Sequence, residues 1–129
     1  MKKYYFFLVA FLAITASNAQ ASLSAITPIP YEIVENQPLF PGGINEFIKF
    51  VGKNFQAPDD ENFSGGVLKV TFVIETNGTI GDVKIINDLG FGTADEIKRI
   101  LAMCPKWTAG DQGGKPVRVI YTLPVNLRV

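Results

Sequence analysis

The chain has 129 residues, enough for one domain and no more. Its 12 Lys and Arg balance 12 Asp and Glu, and the basic residues are scattered, so nothing resembles a nucleic-acid-binding surface. One cysteine and no histidine exclude an internal disulfide and remove the commonest general base, zinc ligand and pH switch together.

Lys2 and Lys3 precede an apolar run over residues 4–14, and small residues then lead to Ala19-Gln20-Ala21. A basic start, a short apolar stretch and an A-x-A-like site describe a secretory signal peptide over residues 1–21. A spanning helix needs about 20 apolar residues, so the run is short for a permanent anchor. An uncleaved inner-membrane anchor is the alternative. No cysteine lies directly after the run, which argues against a lipoprotein. Without Lys2 and Lys3 the chain keeps 10 basic residues against 12 acidic ones, a mildly negative exported protein.

Residues 22–37 contain Pro28 and Pro30 and no amphipathic period, and they read as an extended lead-in to a domain over residues 38–129. Pro38 and Pro41 stop regular structure, and Gly42-Gly43 permits positive φ ahead of a helix. That helix is predicted over residues 44–55, with Ile44, Phe47, Ile48, Val51 and Phe55 in one apolar stripe. Strict alternation over residues 67–75 predicts a half-buried strand with Leu68, Val70, Phe72 and Ile74 on one face. Asn77-Gly78 then favours a type I′ hairpin turn. A second strand over residues 79–87 should return antiparallel, with Val83 and Ile85 toward the same core. Thr93-Ala94-Asp95-Glu96 has the form of a capping box, Thr93 as the cap and Glu96 reaching back. The helix it starts should end near Met103, before Pro105, with Ile97, Ile100, Leu101 and Cys104 on its apolar face. A last strand is expected over residues 116–129, with Val117, Val119, Tyr121, Leu123, Val125 and Leu127 alternating inward. Pro124 cannot donate to a ladder, so this strand should be a sheet edge with position 124 turned outward. The order α-β-β-α-β gives an α+β, two-layer domain: a three-stranded antiparallel sheet with both helices on one face.

Chemistry has little to stand on. Asp59-Asp60-Glu61 lacks the alternating spacing of a calcium loop and reads as a solvated turn. Cys104 lies on an apolar helix face with no histidine to activate it, which makes it a small core residue rather than a nucleophile. The glycines at 110, 113 and 114 precede a strand, whereas a phosphate cradle opens a helix. Trp107, just past the second helix, reads as a core residue. No catalytic residue, cofactor, metal or small-molecule substrate is expected.

The last strand is the feature left over. Natural proteins keep sheet edges short or disrupted, and this one is long, with Pro124 as its sole interruption. The segment Val117, Arg118, Val119, Ile120, Tyr121, Thr122 and Leu123 could accept a strand from another chain. Pattern alone leaves equally open that the crossover loop or the chain ends cover it.

The order of small motifs resembles the C-terminal domain of TonB energy transducers, in the version common in Bacteroidetes-type bacteria. The resemblance begins at Pro30-Tyr31-Glu32-Ile33-Val34-Glu35 and Phe40-Pro41-Gly42-Gly43, and continues through Gly66-Val67, Phe72-Val73-Ile74, Asn77-Gly78-Thr79-Ile80 and Asp82-Val83. It runs on through Gly90-Phe91-Gly92, Pro105-Lys106-Trp107, Gly114-Lys115-Pro116-Val117-Arg118-Val119 and Tyr121-Thr122-Leu123-Pro124-Val125. Ala57-Pro58 and Trp107-Thr108-Ala109-Gly110 depart from the Tyr-Pro and Trp-x-Pro-Gly of relatives. The resemblance implies a periplasmic, non-enzymatic domain that binds the N-terminal box peptide of TonB-dependent outer-membrane receptors along its last strand. A lead-in over residues 22–37 reaches at most about 55 Å fully extended. A short transducer and a soluble accessory therefore both remain expected, and a self-associating protein whose edge pairs with a second copy is the alternative.

Export gives the first prediction. Mass spectrometry of the native protein should find a chain beginning at Gln20 or Ser22, after cleavage behind Ala19 or Ala21. An intact Met1–Val129 chain in the inner membrane would overturn it.

Overall fold

In the computed structural model, residues 27–129 are described, and the expected signal segment lies outside them. The elements are β1 (Ile29–Pro30), α1 (Ile44–Asn54), β2 (Gly66–Ile74), β3 (Ile80–Asn87), α2 (Thr93–Ala102), β4 (Gly110–Gln112), β5 (Lys115–Val117) and β6 (Val119–Leu127). The α+β class stands, but the sheet is not three-stranded and not wholly antiparallel. Four strands run in the order β1-β6-β2-β3, with β1 parallel to β6, and β4-β5 forms a separate hairpin. Two residues containing a proline left no strand signal for β1. The expected continuous last strand breaks at Arg118 into β5 and β6.

Alternation places the core as expected. Leu68, Val70, Phe72 and Ile74 of β2 are buried with Leu123 of β6, Phe47 and Val51 of α1, and Ile97, Ile100 and Leu101 of α2. Both helices therefore cover one face of the sheet. The stripe on α1 is rotated from its expected position. Phe50 packs on the core and against Phe40, with ring centroids 5.6 Å apart, while Ile48 stays 47% exposed.

The centre of the core is aromatic. The Trp107 ring lies 4.8 Å from Phe47, 5.6 Å from Phe40 and 6.2 Å from Phe72, each contact edge-on, where the positive rim of one ring meets the negative face of another. Its indole N–H donates to the Cys104 sulfur at 3.3 Å, and its backbone N–H donates to the Gly78 carbonyl at 2.9 Å. Thr108 and Leu39 exchange backbone bonds of 2.7 and 3.0 Å, which fastens the segment before α1 to the same loop.

Two local expectations are corrected. The turn at Asn77-Gly78 is not type I′. The Gly78 N–H donates to the Glu75 carbonyl at 2.9 Å, and Gly78 (φ 84°) has the only positive φ in this loop. This is a type I turn followed by a left-handed glycine, the three-residue loop, with Asn77 Oδ1 accepting from the Thr79 amide and hydroxyl at 3.1 and 2.6 Å. Positive φ at both central residues occurs instead at Gly113 (58°) and Gly114 (80°), between β4 and β5. Nor does Thr93 cap α2. Gly90, Phe91 and Gly92 all have positive φ, so the chain enters the helix one residue earlier and Thr93 becomes its first residue, buried, with its hydroxyl donating to the Gly90 carbonyl at 2.7 Å. Glu96 is thereby freed for a contact between helices. Its carboxylate accepts from the Gln56 amide (2.7 Å) and from Arg99 Nε (2.7 Å), and Arg99 Nη2 donates to the Asn54 carbonyl (3.0 Å) at the end of α1.

The described end of the lead-in packs onto the domain. Ile29 and Tyr31 pack with Val34, Val117 and Val119 in a second small core, and Asn36 bridges Asp111.

A Cβ at Gly78 would lie 2.0 Å from the Trp107 carbonyl oxygen. Gly78→Ala should therefore cost roughly 2–4 kcal/mol in urea unfolding, from strain and displacement together. Asn77→Ala, which loses only a side-chain acceptor, should cost about 1 kcal/mol. Equal costs would refute the backbone contact as the reason for glycine.

The hydrogen bonds from Arg99, opposed by partial desolvation and aided by the Gln56 amide, hold Glu96 below its ordinary pKa. A lowered folded-state pKa favours the deprotonated fold, so this stabilisation is complete above the ordinary carboxylate range and is lost as pH falls through the lowered value. Thermal melts from pH 6 to pH 2.5 should show a smaller acid-side loss for Glu96→Gln than for the wild type. Parallel curves would show that the clasp between helices adds nothing.

Candidate functional site

β6 pairs with β2 along its whole length, from Val119 opposite Ile74 to Leu127 opposite Gly66. Among the described residues, its other side is covered over the first two residues only. The Ile29 amide donates to the Arg118 carbonyl and the Tyr31 amide to the Ile120 carbonyl, both at 2.9 Å. The chain then turns away, because the amides of Ile33 and Val34 both close on the Pro30 carbonyl at 3.1 Å. No described strand follows β6 beyond Ile120. Backbone polar groups alternate sides along a strand, so Thr122, Pro124 and Asn126 direct theirs the same way as Ile120, toward an open edge.

The seven residues of the expected docking edge therefore separate. Val117 is buried and pairs with Gly110 in the β4-β5 hairpin. Arg118 at the junction of β5 and β6 is held by Glu75 Oε1 (2.6 Å) and Asp82 Oδ2 (2.7 Å), and these two bonds raise its pKa further. Val119 and Ile120 lie under β1. Tyr121 and Leu123 face the core and turn their backbone to β2. Tyr121 stacks edge-on against Tyr31 at 4.9 Å, and burial, with the nearby charges of Tyr31 and Glu32, pushes its phenol pKa up. Thr122 alone offers an open amide. The open edge continues to Pro124 and Asn126, beyond the expected segment. The inward alternation through Leu127 signalled this, but the missing donor at Pro124 masked it: that residue still presents a carbonyl.

The sheet's other edge is less suitable. β3 carries Asp82 at φ 47° and two register shifts against β2, the kind of irregularity that keeps edges from pairing. β1 is protected differently. Its Ile29 and Tyr31 amides face β6, so the ring nitrogens of Pro28 and Pro30 face outward and no strand can continue the sheet there.

Beside the open half of β6 lies a groove of about 180 Å³, lined by Ile48, Val51 and Gly52 of α1 and by Leu123, Pro124, Val125 and Asn126. Cys104 is far from qualifying as a second site. It is half-buried, burial pushes its thiol pKa up, and the Trp107 N–H opposes that shift. Among the described residues no group of three Cys, Asp and Glu side chains is placed to hold a metal, and no helix is long and apolar enough to cross a membrane.

A family model described as the Gram-negative bacterial TonB protein C-terminal matches residues 61–129, which is more than half of the chain and includes β2 through β6. Comparison with curated proteins and with solved structures returns no match. The aligned stretch contains the long β2–β6 pairing and the open edge it creates, and on this evidence the chain belongs to the family of Gram-negative bacterial TonB protein C-terminal domains.

Proposed function

We propose that this domain docks TonB-dependent outer-membrane receptors in the periplasm, their N-terminal box peptide adding as a strand along Thr122, Pro124 and Asn126. Family membership supports the coarser part, a non-enzymatic domain for receptor interaction in energy-coupled transport. The observation that carries the finer part is the half-covered strand: β6 is ordered over its full length by β2, yet among the described residues nothing pairs with its outer side beyond Ile120. A strand held rigid on one side presents its remaining groups without further ordering cost, which is the condition for strand addition.

The open segment offers two amides (Thr122 and Asn126) and three carbonyls (Thr122, Pro124 and Asn126). Each backbone bond contributes about 0.5–1.5 kcal/mol net. Five of them, set against the entropy of association, give an affinity of roughly micromolar or weaker unless side chains add to it. Weak, reversible capture suits a domain that must let go of each receptor. Pairing with a second copy of the chain would use the same edge.

The Thr122 amide makes no bond to β2, so Thr122→Pro should fold with a melting curve like the wild type. Titration calorimetry with a receptor box peptide should find its affinity at least about tenfold lower. Sedimentation of both proteins reads self-association in the same samples. A Thr122→Pro protein that folds and binds peptide as the wild type does, with its association state unchanged, would remove β6 as the docking edge.

A further inference from the structure

Gly52 lies within the last turn of α1, where glycine weakens a helix relative to alanine. The other glycines of the domain have evident reasons. Nine have positive φ, and the two that do not, Gly81 and Gly110, would place a Cβ 3.0 Å from Glu75 and 2.8 Å from Val119. Gly52 has ordinary helical geometry, and a Cβ there would meet nothing within 4 Å. It is not the helix cap, which is Phe55. Nothing in the fold requires glycine at this position.

What Gly52 does is leave space. It lines the groove between α1 and the open half of β6, opposite Leu123, Pro124, Val125 and Asn126, with Ile48 as an exposed apolar wall. A strand laid along Thr122, Pro124 and Asn126 would direct alternate side chains to the helix-covered face, and the first thing such a side chain meets is this groove. A cavity of roughly 150 Å³ takes a benzene-sized apolar group, so a groove of about 180 Å³ has room for one aliphatic side chain. No charged residue of either sign lines it, so it suits an uncharged side chain.

We infer that Gly52 determines specificity for the docked strand, its missing side chain keeping open a pocket that receives one aliphatic side chain of an extended receptor peptide. The inference rests on the docking reading above and adds a requirement to it, an inward aliphatic residue at one position of the partner.

The test uses the full chain and a synthetic peptide with the N-terminal box sequence of a TonB-dependent receptor. Gly52→Ala should raise the melting temperature by roughly 2–6 °C, because the helix gains and nothing is crowded. It should also weaken peptide binding roughly 3–10-fold, and Gly52→Leu, which fills the groove, by at least about 30-fold. A purely structural glycine would not move stability and affinity in opposite directions. Replacing each aliphatic residue of the peptide by glycine in turn should find one whose loss weakens binding to the wild type but not to Gly52→Leu. If the wild type binds through Thr122 and both Gly52 variants bind equally well, this inference falls and the docking reading stands. A Gly52→Ala protein that melts lower than the wild type also overturns it, since the glycine then serves the fold. If Thr122→Pro binds like the wild type, both fall together.

Discussion

Between the tip of the β2–β3 hairpin and the loop that leaves α2 there is room for main chain only. The Trp107 amide reaches the Gly78 carbonyl, and the Trp107 carbonyl occupies the place a side chain at position 78 would take. This contact fixes where the indole points. From that anchor the ring fills the space between Phe40, Phe47 and Phe72, which belong to the segment before α1, to α1 itself and to the central strand. Thr108 then ties the same loop to Leu39. One short loop thus sets the distance between sheet and helices. The groove beside β6 follows from it, because α1 can sit no closer to the strand than the aromatic cluster permits.

Burial patterns were legible in the sequence, and hydrogen-bond partners were not. Alternation in β2 and the apolar faces of both helices come from side chains meeting or avoiding water, a property that each residue type announces. Turn geometry depends on which residue absorbs a left-handed φ. Asn77-Gly78 and Gly113-Gly114 are both compatible with a tight turn, and the backbone contact with Trp107, distant in sequence, decided the first. The capping motif misled for a related reason. Glu96 can bond its own helix start or other groups, and Arg99 together with the Gln56 amide, just past α1, offered the better partners. β1 could not be foreseen, because two residues have no period. What holds it is pairing with a strand ninety residues away, Ile29 opposite Val119.

The candidate site shows the same division. That the last strand would have one exposed side could be read from Pro124, and the exposed segment does include it. Where the exposure starts could not be read, since the cover comes from the lead-in, which looked like a spacer. Val119 and Ile120 lost their open side to Ile29 and Pro30, and Val117 went to a hairpin whose turn is made by two glycines. Gly52 carried a signal that period analysis overlooks: a helix-weakening residue inside an otherwise regular helix, whose meaning depends on which strand runs beside it.

The stitching of residues 29–47 into the core separates the unit that is recognisable in sequence from the unit that can fold. The family match begins at residue 61, yet Phe40, Phe47 and Val51 are buried against residues inside the match, and β1 shields the start of β6. A fragment cut at the family boundary would take Phe40 and Phe47 away from Trp107 and Phe47 away from Phe72. It would also bare the β6 edge from Val119 onward, lengthening the unprotected strand just as the core that steadies it is lost. A long bare edge of this kind is a template for pairing with other chains. Autonomy in this protein therefore begins upstream of the family signature, at the prolines that close the outer side of β1.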